Sequence, residues 1–399
     1  MSSSSGEFVA DVVIVGAGPV GLTLGVSLLT RGRNILVIDK RKDEDNTSRA
    51  AVVYPGTLEL LAPYGISERL VSRGIRTPQF TIRDRDRVLM AVPFSRLPTA
   101  FPFALLVSQA VTEAGLGSRF RQLGGRILQG REVTGVTQDG EGVTLELSAG
   151  DSLRARFAVG ADGVHSAVRS SLEIPYEGNS AGESYSLADV RLRGGVPDDE
   201  LVVYFSSAGH LVVLPLPGGI HRIVAHARDA PEHPSVTFFQ ELLDTRGPKR
   251  ERAVIQEIVW ASRFLTRHAL AKHYRAGRVL LAGDAAHEHS PLGGQGMNLG
   301  IHDAAALGRI LSNALETGTM ELLDSYGDEQ RPIAEKVISV TDLLTKIATT
   351  NEHLAPIRNA LVHVLDPMIH TRVAWRLSLL DYRDEERHEV RARPRSRAS

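Results

Sequence analysis

The chain has 399 residues, 42% of them hydrophobic and 23% charged, with a formal net charge of -1. This composition describes a globular protein of two or three domains and excludes the basic footprint of a general nucleic-acid binder. There is no cysteine, which removes disulfides, thiolate metal sites and cysteine-linked cofactors together and is compatible with the expected location, a reducing cytoplasm.

The opening MSSSSGEF has neither the basic start nor the apolar core of a signal peptide. No run reaches the roughly 18 apolar residues of a membrane span, so no integral membrane association is expected. Phe8 to Val15 reads as a near-continuous apolar strand, followed at once by Gly16-Ala17-Gly18-Pro19-Val20-Gly21 and a helix-like run to about Thr30. A second apolar strand, Asn34 to Ile38, ends at Asp39. Strand, glycine turn, helix, strand and acidic residue, in that order, form a dinucleotide-binding fingerprint. Gly16 permits the turn, Gly18 lets a pyrophosphate approach, and Gly21 allows close packing of helix on sheet. Asp39 can bind the hydroxyls of an adenosine ribose.

The fingerprint alone does not separate NAD from FAD. No second GxGxxG follows a strand downstream, which favours one long cofactor held at its two ends by distant segments, and FAD fits that better. Arg49 lies just past the ribose-binding strand, where a cation can reach phosphate; a solvated loop arginine is the alternative. A helical run follows Pro55 and ends near Gly65, and Pro78 to Val92 alternates like strands around a charged turn. Phe94 to Phe103 suits a substrate-side loop or ordinary core. Ser108 reads as the N-cap of a helix, which puts Gln109 near a helix start, able to donate to a ligand hydroxyl. Short strands follow around Arg126 to Leu128 and Val143 to Leu147, and Ala155 to Gly160 leads into an acidic turn at Asp162.

Residues 183 to 263 read differently, as an antiparallel meander through Leu201 to Phe205, His210 to Pro215 and Ile220 to His226. Such a sheet cannot belong to a parallel core and suggests a second domain. His210, His221 and His226 lack metal-ligand spacing and read as surface strand residues, and no metal is expected. In Arg278 to Asp303 a buried strand, Val279 to Ala282, enters a Gly283-Asp284 turn, a glycine-rich loop and a helix starting near Gln295 to Asn298. Unpaired amides at a helix start attract an anionic or electron-rich ligand. Leu322 to Leu344 and His353 to Leu380 are helical in periodicity, with Pro332 marking the true start of the first. The charged end, from Asp381 onward, reads as a solvated tail.

GAGPVG with Asp39, then ADGVHSAVR, then GDAAHEHSPLGGQGMNLGIHDA are three motifs in a fixed order. In them the sequence resembles the single-component FAD aromatic hydroxylases, the para-hydroxybenzoate hydroxylase-like group that includes many polyketide hydroxylases. The resemblance covers about residues 9 to 340, with supporting matches at Arg49, Gln109 and YGDEQRP. It implies an α/β fold: a Rossmann-like FAD-binding domain with an inserted antiparallel β-sheet substrate domain and a helical C-terminal region. The expected FAD-binding segments are 1–75, 104–175 and 275–345. The expected substrate segments are 76–103 and 176–274, followed by a helical region, 346–385, and a disordered tail, 386–399.

The resemblance also implies roles. Gly16, Gly18, Gly21 and Asp39 would hold the ADP half of FAD, with Lys40 among the cofactor contacts, and Arg49 and Gln109 would meet its middle. Asp162 would lie near the pyrophosphate and affect nicotinamide use. Gly283 and Asp284 would serve the ribityl chain. The backbone of Gly294, Gly296, Met297 and Asn298 would face the flavin, and Pro291 would border its reactive face. Pro291 and Gly294 act only through the flavin environment, and no side-chain base is assigned.

The implied reaction uses NADPH or NADH and O2 to hydroxylate an aromatic, multi-ring polyketide-like substrate through a flavin C4a-hydroperoxide. Baeyer-Villiger oxidation, epoxidation and an FAD-dependent reductase without oxygen insertion stay open, as does a flavin-holding protein without turnover. A halogenase is disfavoured, because Trp260 and Trp375 do not form its tryptophan motif. Two positions depart from the family pattern: Ser290-Pro291 stands where many members have Pro-Pro, and Gly56 where many have Arg. No thioredoxin-like C-terminal domain of the kind larger members carry is expected.

Overall fold

A computed structural model describes residues 7–42 and 49–383. Two eight-stranded sheets among these residues organise the protein.

The first sheet is built on the fingerprint. Ala10–Val15 is buried almost throughout and lies between Ser152–Gly160 and Ile35–Asp39, parallel to both. Parallel neighbours Val279–Leu281 and Arg126–Gln129 extend the sheet on either side. Strands covered on both faces read as continuous apolar runs, which is why these were visible in the sequence. The helices Pro19–Thr30 and Gly296–Thr317 pack together over this sheet, Gly308 approaching Ser27 so closely that a Cβ would lie 2.3 Å from its Oγ. Each aliphatic side chain fully buried in such a layer contributes about 1.5–3 kcal/mol.

The second sheet takes Gln79–Asp84, Arg87–Pro93, Tyr176–Arg193, Leu201–Tyr204, Leu211–Leu216, Ile220–His226 and Val254–Ala271. It is antiparallel except where Leu201–Tyr204 runs parallel to Gln79–Asp84. The sequence reading caught the meander and missed its long frame, the paired 18-residue strands Tyr176–Arg193 and Val254–Ala271. Their ladder is interrupted by register shifts, and Val254–Ala271 exposes much of its length, so no clean alternation of period two appears. The two residues His287–Glu288 close this sheet by pairing with Leu270 and Ala269. The Gly-Asp segment thus joins both sheets within ten residues of chain, from Val279 in one to Glu288 in the other.

Two expectations are corrected. Pro332 does not begin its helix; it lies inside Asp324–Ala348. The turns before it are anchored by tertiary contacts, with buried Tyr326 donating to the Leu281 carbonyl at 2.8 Å, and these offset the hydrogen bond that proline removes. Ser108 occupies the N-cap of Gln109–Gln122 as expected, its carbonyl receiving Val111 N at 3.1 Å, although its side chain makes no cap hydrogen bond. His210 and His221 are not surface residues, being 1% and 4% exposed. The sheet that carries them is covered by the Val236–Arg246 helix on one face and by a cavity wall on the other. The C-terminal helix, Ala355–Ser378, packs on Arg87–Pro93. The tail expected at 386–399 lies outside the described residues.

Candidate active site

A cavity of about 450 Å³ runs from the fingerprint to the second sheet. Gly18, Pro19 and Val20 of the fingerprint line it together with Arg49, Gln109 and Asp284, with Pro291 and Gly293–Met297, and with Leu201, Val203, Val212, Leu214 and Val224 of the second sheet. The sheet residues follow the alternation of a pleated strand, every second side chain pointing into the cavity.

The glycines of the fingerprint divide the work. Gly16 has φ +107°, and a Cβ there would lie 2.2 Å from the Ala161 carbonyl oxygen, so only glycine fits. Gly18 has nothing within 4 Å of its Cβ position, so its backbone is open to a ligand. Gly21 seats the helix against the Gly16 carbonyl, where a Cβ would come within 1.9 Å.

Asp39 ends its strand as expected, and its two oxygens are both engaged. Oδ2 accepts from Ala17 N at 2.6 Å and Oδ1 from Arg41 N at 2.7 Å, while the Arg41 guanidinium reaches both. Arg41 also bonds Glu113 at 3.3 Å. Lys40 does not come to the cavity: its side chain is 63% exposed and stands 3.9 Å from Glu132. Alternation along an extended segment turns Lys40 outward and Arg41 inward, a distinction the sequence reading missed.

Gln109 ties the middle of the cavity together. Its Oε1 accepts from Ala50 N at 3.2 Å and its Nε2 donates to Glu113 at 2.7 Å. The neighbouring Arg49–Ala50 segment is held from the second sheet. Arg222, 1% exposed, pairs with Asp189 at 2.7 and 2.8 Å and donates to the Arg49 and Ala50 carbonyls at 2.9 and 3.0 Å. The Arg49 guanidinium itself lies over the Phe264 ring, 5.1 Å from its centroid.

Asp162 turns away from the cavity, whose wall here is Ala161, Gly163 and Val164. Its carboxylate instead accepts from Val168 N at 3.2 Å, at the start of the Ala167–Ser171 helix. Burial raises its pKa above the ordinary carboxylate value, against hydrogen bonds from Ser166 and Val168.

The Gly-Asp turn presents Asp284 to the cavity, and among the described residues its carboxylate has no hydrogen-bond partner. Dense surrounding protein raises its pKa, opposed by the positive fields of His287 and Arg49. The turn is fixed from beneath by Asp303, which accepts from Gly283 N at 2.9 Å and meets His287 Nε2 at 2.6 Å. The net effect raises the His287 pKa: burial is the largest single influence and opposes the charge, while Asp303 and Asp284 together outweigh it. His289 is also buried. Its Nδ1 bonds the Ser290 carbonyl at 2.8 Å, and burial lowers its pKa to about 4. Asp303 had a signal in the sequence, a carboxylate inside an apolar helix face, whereas Arg222 and Asp189 had none.

The helix Gly296–Thr317 begins where expected, and Gln295 at its N-cap makes no side-chain cap. Gly294, Gly296 and Met297 line the cavity. The side chain of Asn298 instead staples the loop to the strand at residues 52–54, accepting from Tyr54 N at 3.0 Å and donating to Val52 O and Gly294 O at 2.9 Å. Both departures from the family pattern have local causes. Ser290 Oγ lies 3.0 Å from the Tyr185 hydroxyl, a contact proline cannot make. A Cβ on Gly56 would lie 2.6 Å from the Ser378 carbonyl, so the end of the C-terminal helix occupies the space of any larger side chain.

No group of three or more potential ligands for a metal ion occurs among the described residues, and no helix there is long and apolar enough to cross a membrane. The arrangement suits a dinucleotide cofactor with a flat ring system: open backbone at Gly18, an unpartnered carboxylate at Asp284, and helix-start amides beside a glycine loop.

Comparison with known proteins agrees. An aromatic compound monooxygenase of Bacillus subtilis, itself described as uncharacterised, is 35% identical over 94% of this chain and 76% of its own length. The rifampicin monooxygenase of Streptomyces venezuelae is 32% identical over 89% of this chain and 75% of its own. The solved structure of the anhydrotetracycline hydroxylase OxyS from Streptomyces rimosus superposes with a TM-score of 0.79 at 32% identity, covering 93% of this chain and 76% of that one. Residues 9–341 match the FAD binding domain family, and the chain belongs to that family as an FAD-dependent aromatic monooxygenase.

Proposed function

We propose that this chain hydroxylates an uncharged, multi-ring phenol, with the cavity between the two sheets holding FAD along its length and the substrate against the second sheet. One observation carries this reading: a single cavity joins the dinucleotide fingerprint to an apolar floor. Relatives named for rifampicin and anhydrotetracycline support a large substrate.

In this reading Gly18 to Val20 receive the pyrophosphate and Asp39 contributes its remaining lone pairs to the ribose. Arg49 and Gln109 meet the middle of the cofactor, Asp284 accepts from ribityl hydroxyls, and the backbone from Gly294 to Met297 faces the flavin ring. Reduction by NAD(P)H and activation of O2 are the chemistry that FAD supplies when bound. The protein's share is electrostatic and steric. The start of the Gly296–Thr317 helix stabilises negative charge on an electron-rich ring. The valines and leucines of the floor exclude water and orient the substrate. Pro291 shapes the wall next to the ring, and no side chain is needed as a covalent catalyst.

The test is anaerobic reduction of the purified flavoprotein by NADH and by NADPH with multi-ring phenols, followed by admission of isotopically heavy O2. Substrate-stimulated reduction and one heavy oxygen atom in the product are expected. Reduction without incorporation of label would make the protein a reductase, and failure to retain FAD would sink the reading.

A further inference from the structure

The floor of the cavity is apolar along most of its length, and at one end the pattern breaks. His210 and Thr266 both line the cavity and are 1% and 7% exposed. Neither imidazole nitrogen of His210, nor Oγ1 of Thr266, has a hydrogen-bond partner among the described residues. Buried polar atoms without partners are rare, since the water they surrender is not replaced.

Among the nearby polar groups Arg222 and Tyr185 are committed, whereas Nδ1 of His226 is, like His210, without a hydrogen-bond partner among the described residues. Arg222 is bound to Asp189 and to two carbonyls, and the Tyr185 hydroxyl to Ser290 and to Glu183, each at 3.0 Å. Ring contacts hold the imidazole without bonding it: Tyr185 lies 5.6 Å away, and His226 stacks at 5.7 Å. The register places both unpartnered groups on one face. His226 N bonds the His210 carbonyl, Tyr185 stands opposite His226, and Glu183 stands opposite Thr266.

We propose that His210 is a specificity-determining residue that reads an uncharged hydroxyl or carbonyl oxygen on a multi-ring phenol or quinone. The inference rests on the reading of the cavity as an aromatic substrate site beside FAD. Burial, and then His226, lower the His210 pKa to about 3, so the ring is neutral and offers one donor and one acceptor. A hydroxyl can use both. A carboxylate finds no counter-charge on this imidazole, and a bare hydrocarbon leaves both nitrogens unpaired. Anchoring one oxygen here also sets the order in which fused rings occupy the floor, and therefore which carbon is presented for oxidation.

The FAD-loaded protein is titrated with a dihydroxyanthraquinone carrying hydroxyls beside a carbonyl, and with unsubstituted anthraquinone, as wild type, His210→Leu and His210→Gln. Wild type is expected to prefer the hydroxylated probe by about tenfold or more, as sites built for a polar group reject analogues lacking it. His210→Leu loses most of that preference, and His210→Gln keeps part of it. An unchanged preference in His210→Leu, or no binding of either probe by FAD-loaded wild type, overturns the inference. A wild-type chain that holds no FAD overturns the flavin reading itself, and this inference with it.

Discussion

The carboxylate of Asp303 lies 2.6 Å from Nε2 of His287, and both side chains are wholly buried. Asp303 belongs to the Gly296–Thr317 helix and His287 to the strand that closes the second sheet, so the contact locks the Gly-Asp turn between them. Removing one partner of a buried pair leaves the other uncompensated, at about 3–5 kcal/mol. Asp303→Ala is therefore expected to lower stability by that order in chemical denaturation, and to release FAD more readily on dilution. Asp303→Asn, which can still accept from Gly283 N, should fall between.

Arg222 transmits the second sheet to the Arg49–Ala50 segment. Arg222→Lys retains the charge and loses the fork that spans both Asp189 oxygens and two carbonyls. FAD affinity, measured by fluorescence quenching, should fall by about tenfold in that variant, corresponding to one lost charge-assisted hydrogen bond of about 1.5 kcal/mol. An unaltered affinity would detach this pair from cofactor binding.

Gly16 and Gly18 predict opposite outcomes for the same substitution. Gly16→Ala places a Cβ 2.2 Å from a backbone oxygen at φ +107° and should unfold or strongly destabilise the protein. Gly18→Ala meets nothing within 4 Å and should fold normally while losing FAD affinity. Melting curves and flavin occupancy of the two variants separate a packing role from a ligand-facing one.

Among the described residues the Asp284 carboxylate has no hydrogen-bond partner to lose. Asp284→Ala should leave the melting temperature of the flavin-free protein within a degree or two, as for substitutions away from packed or paired features, while reducing flavin retention. Unchanged flavin occupancy after gel filtration would remove Asp284 from the cofactor site.

Acid should destabilise the fold over a defined window. Burial is the main cause lowering His210 to about 3 and His289 and His302 to about 4, whereas an unfolded histidine titrates near 6.5. Below about pH 6.5 the unfolded chain binds more protons than the folded one, so stability falls as pH drops towards 4, by up to about 1.4 kcal/mol per pH unit per group. His287 acts in the opposite sense: its raised pKa gives stability that is complete below about 6.5 and is lost as pH rises through its folded value. Melting temperature against pH, with His210→Leu flattening the acid limb, checks the sign.

What the sequence by itself determined is the set of local steric demands. Gly16, Gly18, Gly21 and Asp39 were legible because a turn with positive φ, an open backbone and a strand-end carboxylate each require particular residues at fixed spacing, and Gly283-Asp284 before a helix start is a signal of the same kind. The apolar strands of the parallel sheet were legible because both their faces are covered. Tertiary structure decided which surfaces meet, and with that which polar groups are paired. It turned Lys40 outward and Asp162 toward its own helix, made Asn298 a staple, held Pro332 inside a helix through the anchoring of Tyr326, and buried His210 with neither ring nitrogen hydrogen-bonded among the described residues. Arg222 and Asp189 lie 33 residues apart, and the contact that secures the Arg49–Ala50 segment exists only once two strands are in register. Residue type and spacing constrain the backbone within a few residues; burial and pairing depend on distant segments brought together by the fold.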